Sequence, residues 1–238
     1  MTGFTLKHQM PPPQGGFQWV YLWGWPIRAM HWIAAACIVT LTVTGLFIGK
    51  PYFTIRDTGD PFLMGWMRAI HFGAAAVLVM TAIVRAYWLF AGNKYERLPA
   101  LFPVRRRDWG NMVKQVKFYL MIQPDKAPRY LGHNPLQQLS YTGMYVVAAV
   151  MVLTGFTLYG QSNPGGIFYA VTNWLVPLTG GLQIVRWIHH VFTWVFLIFI
   201  PLHVYLAIRA DFLERGGTVS SIVTGGRFVP ADEPFEDG

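Results

Sequence analysis

The sequence predicts an all-α fold: one integral membrane domain, residues 1–238, built as a four-helix bundle with both termini in the cytoplasm. Three observations carry this. Only 13% of the residues are charged, against roughly 25% in a soluble domain, while 53% are apolar. Four apolar stretches reach the length of about 20 residues that a helix needs to cross the hydrocarbon core. The basic residues are shared unequally among the connections between those stretches.

The chain opens on MTGFTLKHQMPPPQGG, which is polar and proline-rich and has neither the apolar core nor the cleavage site of a signal peptide. Its His8 takes no role. Span one, Ala29–Gly49, is uncharged and holds Cys37, the only cysteine. An intramolecular disulfide is therefore impossible, and without CxxCH a covalent c-type haem is not expected. Span two, Trp66–Gly92, is interrupted only by Arg68 and Arg85 near its ends, where long side chains can snorkel. The loop 93–135 follows. Spans three, Leu139–Tyr159, and four, Trp187–Ile208, are uncharged. Between them, in the loop 160–186, the apolar run IFYAVTNWLVPLTGGLQIV contains Asn173, Pro177 and Gly180–Gly181. It reads as an interfacial or re-entrant segment rather than a fifth span.

The region from Arg85 to Pro135 holds ten Lys or Arg, the N-terminal segment two and the C-terminal tail three; the other side holds only Lys50, Arg56, Arg68 and Arg186. Fifteen against four places the middle loop and both termini in the cytoplasm and the loop 160–186 in the periplasm. The loop's charge reads as attraction to anionic membrane lipid; nucleic-acid binding is not supported.

This topology sorts the histidines by depth. His71 begins span two and His189 begins span four, both near the outer face. His31 begins span one and His203 lies near the end of span four, both near the inner face. The fourteen residues from His189 to His203 rise about 21 Å, two levels within one bilayer. At about 100° per residue they also return to within about 40° of one direction, whereas His190 points about 140° away from His203 and is rejected as a ligand.

Arg28-Ala-Met-His31, Arg68-Ala-Ile-His71 and Arg186-Trp-Ile-His189 share the pattern R-x-x-H, which puts each pair on one helix face. Taken singly, an interfacial histidine is a polar helix end and a nearby arginine a topology anchor. Four histidines matched in depth and facing, three with one arginine offset, point instead to two b-type haems. Each would take two axial imidazoles, pairs His71/His189 and His31/His203, with Arg28, Arg68 and Arg186 on the propionates. Zinc is the rival metal, but it wants ligands clustered around one ion. Thr44-Gly45 and Thr154-Gly155 recur in VTGLFIG and LTGFTLYG. Their glycines suit either a macrocycle lying against the backbone or close helix packing.

The chain resembles the b-type cytochrome subunit of membrane-bound nickel–iron uptake hydrogenases, a di-haem cytochrome b family, over essentially its whole length. The resemblance rests on Arg28-Ala-Met-His31-Trp32-Ile33 running to Thr44-Gly45, and on Arg186-Trp-Ile-His189-His190 running through Trp194 and Phe199 to His203. Gly132-His133-Asn134-Pro135 and Asn93-Lys94-Tyr95 add to it. The chain departs from the family where Arg is frequent at His190 and a smaller residue at Trp187. The resemblance implies an electron-transfer subunit that does not itself split hydrogen, set in the bacterial inner membrane. Its partners would be an iron–sulfur small subunit and a nickel–iron large subunit on the periplasmic side, and a quinone would be the acceptor, reduced near the inner haem. His133 and Asn134 are candidates to hydrogen-bond that quinone; equally, Asn134-Pro135 suits a helix start. The alternatives that keep the haems are a formate dehydrogenase or thiosulfate reductase subunit, or a stand-alone b561-type quinol oxidoreductase. A haem-free membrane anchor or metal transporter is the alternative of another class.

Overall fold

The computed structural model describes residues 16–103, 105–120, 128–214, 217–231 and 234–237. The proline-rich start with His8, and Lys126 and Arg215 of the charge count, lie outside them. Strand β1 (Phe17–Tyr21) leads into α1 (Trp25–Gly49), α2 (Ile55–Thr58) and α3 (Leu63–Ala91). A 3₁₀ turn (Leu98–Leu101) precedes α4 (Arg106–Tyr119), α5 (Pro135–Gly160), α6 (Ile167–Thr172) and α7 (Leu175–Thr179). Then come α8 (Leu182–Glu214), α9 (Thr218–Thr224) and β2 (Gly226–Pro230).

Among the described residues four helices are long and apolar enough to cross a membrane: α1, α3, α5 and α8. The architecture is an all-α membrane bundle, and the chain is a multi-pass membrane protein. Each of these helices begins three to five residues before the predicted span. Arg28 and Arg186 fall inside helices because helical hydrogen bonding continues through the headgroup layer, beyond the apolar run that marks the span. The bundle's outer surface is apolar, with Val43, Met80, Ile83, Val146 and Ile198 all exposed. The run 167–185 breaks into α6 and α7, each far shorter than a crossing helix. Helix α7 ends at Gly180 and Gly181, whose φ of 91° and 130° suits glycine alone.

Contacts fall into two compact units. One takes the described residues up to Met30, Arg85–Gly143 and those from Pro201 on; the other takes His31–Val84 and Met144–Ile200. In the first, β1 and β2 pair antiparallel with Phe17 opposite Pro230 and Tyr21 opposite Gly226. Their core is Leu22, Leu131 and Val229, covered by Val20, Trp23, Tyr95 and Phe235. Glu96 is buried there, and a buried carboxylate is costly unless its oxygens are satisfied. It accepts from the backbone N–H of Gly24 and, at 2.8 and 3.2 Å, from Trp88 Nε1 and the Asn93 N–H. Asn93 in turn donates to the Leu22 carbonyl at 2.8 Å. The Asn93-Lys94-Tyr95 turn thus ties the end of α3 to the strand leading into α1.

In the second unit the four long helices meet. Polar or aromatic contacts link α1 with α3, α5 with α8, and α3 with α5, the last through Phe72 and Tyr159 with ring centres 4.9 Å apart.

Candidate functional site

The histidines near the start of α3 and α8 sit in two matching cradles of the second unit. His71 Nδ1 lies 2.9 Å from Thr44 Oγ1 on α1. His189 Nδ1 lies 2.8 Å from Thr154 Oγ1 on α5. A threonine hydroxyl has one hydrogen, and each of these donates it to the carbonyl one turn back, Thr44 to Thr40 at 2.7 Å and Thr154 to Val150 at 2.7 Å. Only a lone pair then faces the ring, so a neutral ring carries its proton on Nδ1 and keeps the lone pair on Nε2. The threonines fix the tautomer that a metal needs at Nε2.

The glycine after each threonine lets the ring in. A Cβ on Gly45 would stand 3.1 Å from His71 Cε1, and one on Gly155 3.3 Å from His189 Cε1. The neighbour of both glycines is the imidazole itself, which neither sequence explanation had named. His190 is exposed and lies instead beside Gly49, whose Cβ position is 3.6 Å from its Nδ1.

The structure thus places His71 and His189 in one unit, while His31 and His203 fall in different units. His31 is half-buried with its ring edge-on to Trp32 at 5.1 Å. His203 is half-buried, and its ring meets Tyr141 at 5.9 Å. The three arginines differ in setting. Arg28 NH1 donates to the Val223 carbonyl at the end of α9, while its buried Nε has no partner among the described residues. Arg68 and Arg186 are exposed, and Arg186 donates to Gln183 Oε1 at 3.4 Å.

His133 and Asn134, adjacent in sequence, do different things. Asn134 caps α5: its Oδ1 accepts from the Gln137 N–H and Gln137 Oε1 accepts from the Asn134 N–H, both at 3.0 Å. This reciprocal pair satisfies two orphan donors of the first turn. Asn134 Nδ2 donates to Tyr119 Oη at 3.1 Å. His133 lies between Trp23 and Tyr141, at 4.8 and 4.9 Å between ring centres. Burial, then the neighbouring Arg85 and His203, push its pKa down to about 4, so the ring is neutral near pH 7. His133 and Gln138 line a cleft of about 230 Å³ with Lys94, Tyr95, Arg105 and Tyr130. His133 Nδ1 and Gln138 Oε1 are both covered and without partners among the described residues.

The donor set fits a bis-imidazole iron. In the neutral form, two rings with the proton on Nδ1 would offer two Nε2 lone pairs from opposite helix pairs, which suits haem held by two histidines. Among the described residues no group of three or more His, Cys, Asp or Glu could hold a metal ion. The threonines were missed as ring partners in the sequence. The one signal was the repeated Thr-Gly dipeptide.

Comparison with known proteins supplies the family. Residues 22–225 match the family described as prokaryotic cytochrome b561. A protein of Azotobacter chroococcum mcd 1 named "Probable Ni/Fe-hydrogenase B-type cytochrome subunit" is 40% identical over 220 residues, covering 90% of this chain and 91% of the relative. A protein of the same name from Cupriavidus necator is 36% identical, covering 87% and 86%. The "Probable Ni/Fe-hydrogenase 1 B-type cytochrome subunit" of Escherichia coli is 35% identical, covering 87% and 90%. With its four membrane-crossing helices and paired imidazoles, the chain belongs to the prokaryotic cytochrome b561 family, as a membrane electron-transfer protein of the Ni/Fe-hydrogenase B-type cytochrome group.

Proposed function

We propose that this chain holds two haem b groups in the bacterial inner membrane and links a periplasmic nickel–iron hydrogenase to quinone. One observation carries the haem assignment: the paired Thr44–His71 and Thr154–His189 contacts, which turn two Nε2 lone pairs to metal binding. His71 and His189 would hold the outer haem. His31 and His203 would hold the inner one, a pairing that rests on their matched depth and phase in the sequence. Bound haem supplies one-electron chemistry, and the protein's part is to orient the ligands and set their basicity. The partners follow from the relatives, whose names place them in nickel–iron hydrogenases.

For the quinone end, the cleft holding His133 is favoured. Its volume of about 230 Å³ lies below the roughly 300 Å³ at which small-molecule pockets begin, so it suits a quinone ring with the tail outside. A neutral His133 can donate to a quinone oxygen or accept from a quinol hydroxyl, and Gln138 Oε1 can only accept. Asn134 is engaged in capping α5, which leaves His133 as the better candidate of the two.

The test is the haem content and reduced spectrum of the purified chain. Two bis-histidine haems per chain are expected, and the loss of one on His71→Ala. Unchanged pigment in that variant would overturn the ligand assignment. Co-purification with nickel–iron and iron–sulfur subunits, and a hydrogen-driven membrane potential in proteoliposomes with quinone, test the circuit. Absence of that potential would remove the proposed arrangement of donor outside and acceptor inside.

A further inference from the structure

Helix α4, in the loop between the second and third crossing helices, is amphipathic the wrong way round for a soluble surface. Asp108, Asn111, Gln115 and Phe118, spaced three, four and three apart, are its buried residues. The first two are satisfied within the fold. Asp108 Oδ2 accepts from the Arg105 N–H at 3.1 Å, and Asn111 Nδ2 donates to Tyr130 Oη at 2.9 Å. The opposite face carries Trp109, Val113 and Val116, with Leu120 at the C-cap; they are 52, 54, 37 and 65% exposed. At about 100° per residue, Arg106 and Lys117 fall beside Val113, both exposed. An apolar face with basic residues along its edge is the pattern of a helix lying in the membrane surface.

A second observation fixes the level of α4. The Phe118 carbonyl accepts from Arg209 NH2 at 3.3 Å, and the Arg209 guanidinium lies 4.9 Å from the Phe118 ring centre. Arg209 is the first charged residue after the apolar run 187–208. Tyr119 accepts from Asn134, which caps the crossing helix α5. The C-terminal end of α4 is therefore held where two crossing helices reach the bilayer boundary.

We propose that α4 is an interfacial helix, with Trp109, Val113, Val116 and Leu120 set among the lipid chains and Arg106 and Lys117 on anionic headgroups. The attraction of each basic side chain to an anionic surface adds to the burial of the apolar face. Lipid is the occupant because the basic edge is complementary to lipid phosphate and the helix is pinned at bilayer height.

The test places one nitroxide on the full chain in nanodiscs of anionic phospholipid, in a Cys37→Ala background, at Val113→Cys or Lys114→Cys. Haem absorbance reports folding. The Val113 label should be relaxed several-fold more by oxygen than by a water-soluble nickel chelate, and the Lys114 label the reverse. Equal chelate access at both positions would overturn the proposal. So would shielding of the Val113 label from both reagents, which would mean that protein covers this face. Arg106→Glu with Lys117→Glu should reduce the oxygen preference in anionic discs more than in zwitterionic ones, and an equal effect in both would remove the headgroup contact. Without any substitution, a lipid with a photoreactive acyl chain should label the peptide 106–120, and an unlabelled peptide would also refute it.

Discussion

Replacing Thr154 by Val removes one oxygen and little else, because the side chains have nearly the same shape. Thr154 is buried, and its Oγ1 is the acceptor 2.8 Å from His189 Nδ1. The Nδ1–H of a ligating imidazole is more acidic when the iron is ferric, so its hydrogen bond favours the oxidised state. Losing that bond should raise the midpoint potential. A net hydrogen bond is worth about 1 kcal/mol, and about 59 mV corresponds to a factor of ten for one electron; the bond is present in both oxidation states and only its difference between them counts, so the expected rise is below about 40 mV. Thr44→Val should do the same through His71. If both rings hold one iron, the double variant should raise a single redox couple further than either single variant does. Thr154→Ser, which keeps the oxygen, should restore the native value. Optical redox titration reads all of this. A fall in potential, no shift, or shifts falling on two different couples would refute the cradle or the pairing drawn from it.

His189→Ala should halve the haem per chain while His190→Ala leaves it unchanged, read by pyridine haemochrome. Gly155→Val adds bulk where even a Cβ would stand 3.3 Å from His189 Cε1; overpacking of about 1–3 kcal/mol should speed haem loss to apomyoglobin by roughly one to two orders of magnitude. His133→Ala should slow quinone reduction about fivefold, the worth of one hydrogen bond, with both haems retained; haem loss would show a structural role instead. Asp237 accepts from the Leu131 and Gly132 N–H groups at 2.6 and 2.8 Å. Asp237→Ala should therefore raise hydrogen exchange across 129–133, by about tenfold for a charge-assisted bond, and unchanged exchange would show that the tail does not hold that turn.

The crossing helices were legible because length and apolarity alone define them. The cradles were not. Thr44 and His71 are 27 residues apart and Thr154 and His189 are 35, and nothing local to a threonine in an apolar run announces a ring facing it. The β1–β2 pair was missed for the same reason, since Tyr21 meets Gly226 across nearly the whole chain. The R-x-x-H pattern suggested three equal arginines. The fold separates them: Arg28 reaches a backbone carbonyl of α9, while Arg68 and Arg186 stay exposed. Helix α4 went unread because its buried polar residues look, in sequence, like a solvated face.

The choice of threonine over a carboxylate as ring partner has a physical reason. Many metal-bound histidines donate to Asp or Glu, but within a bilayer an added buried charge is costly unless it is paired. A hydroxyl whose own hydrogen is tied to the helix backbone, as at Thr40 and Val150, is a fixed neutral acceptor. It orients the ring and sets the tautomer without charging the site. It can do so only if the ring lies almost on the neighbouring helix, and that closeness leaves little room for a side chain at the next position. Thr-Gly is thus one device rather than two coincidences, and its recurrence on α1 and α5 gives both rings the same tautomer and the same neutral surroundings.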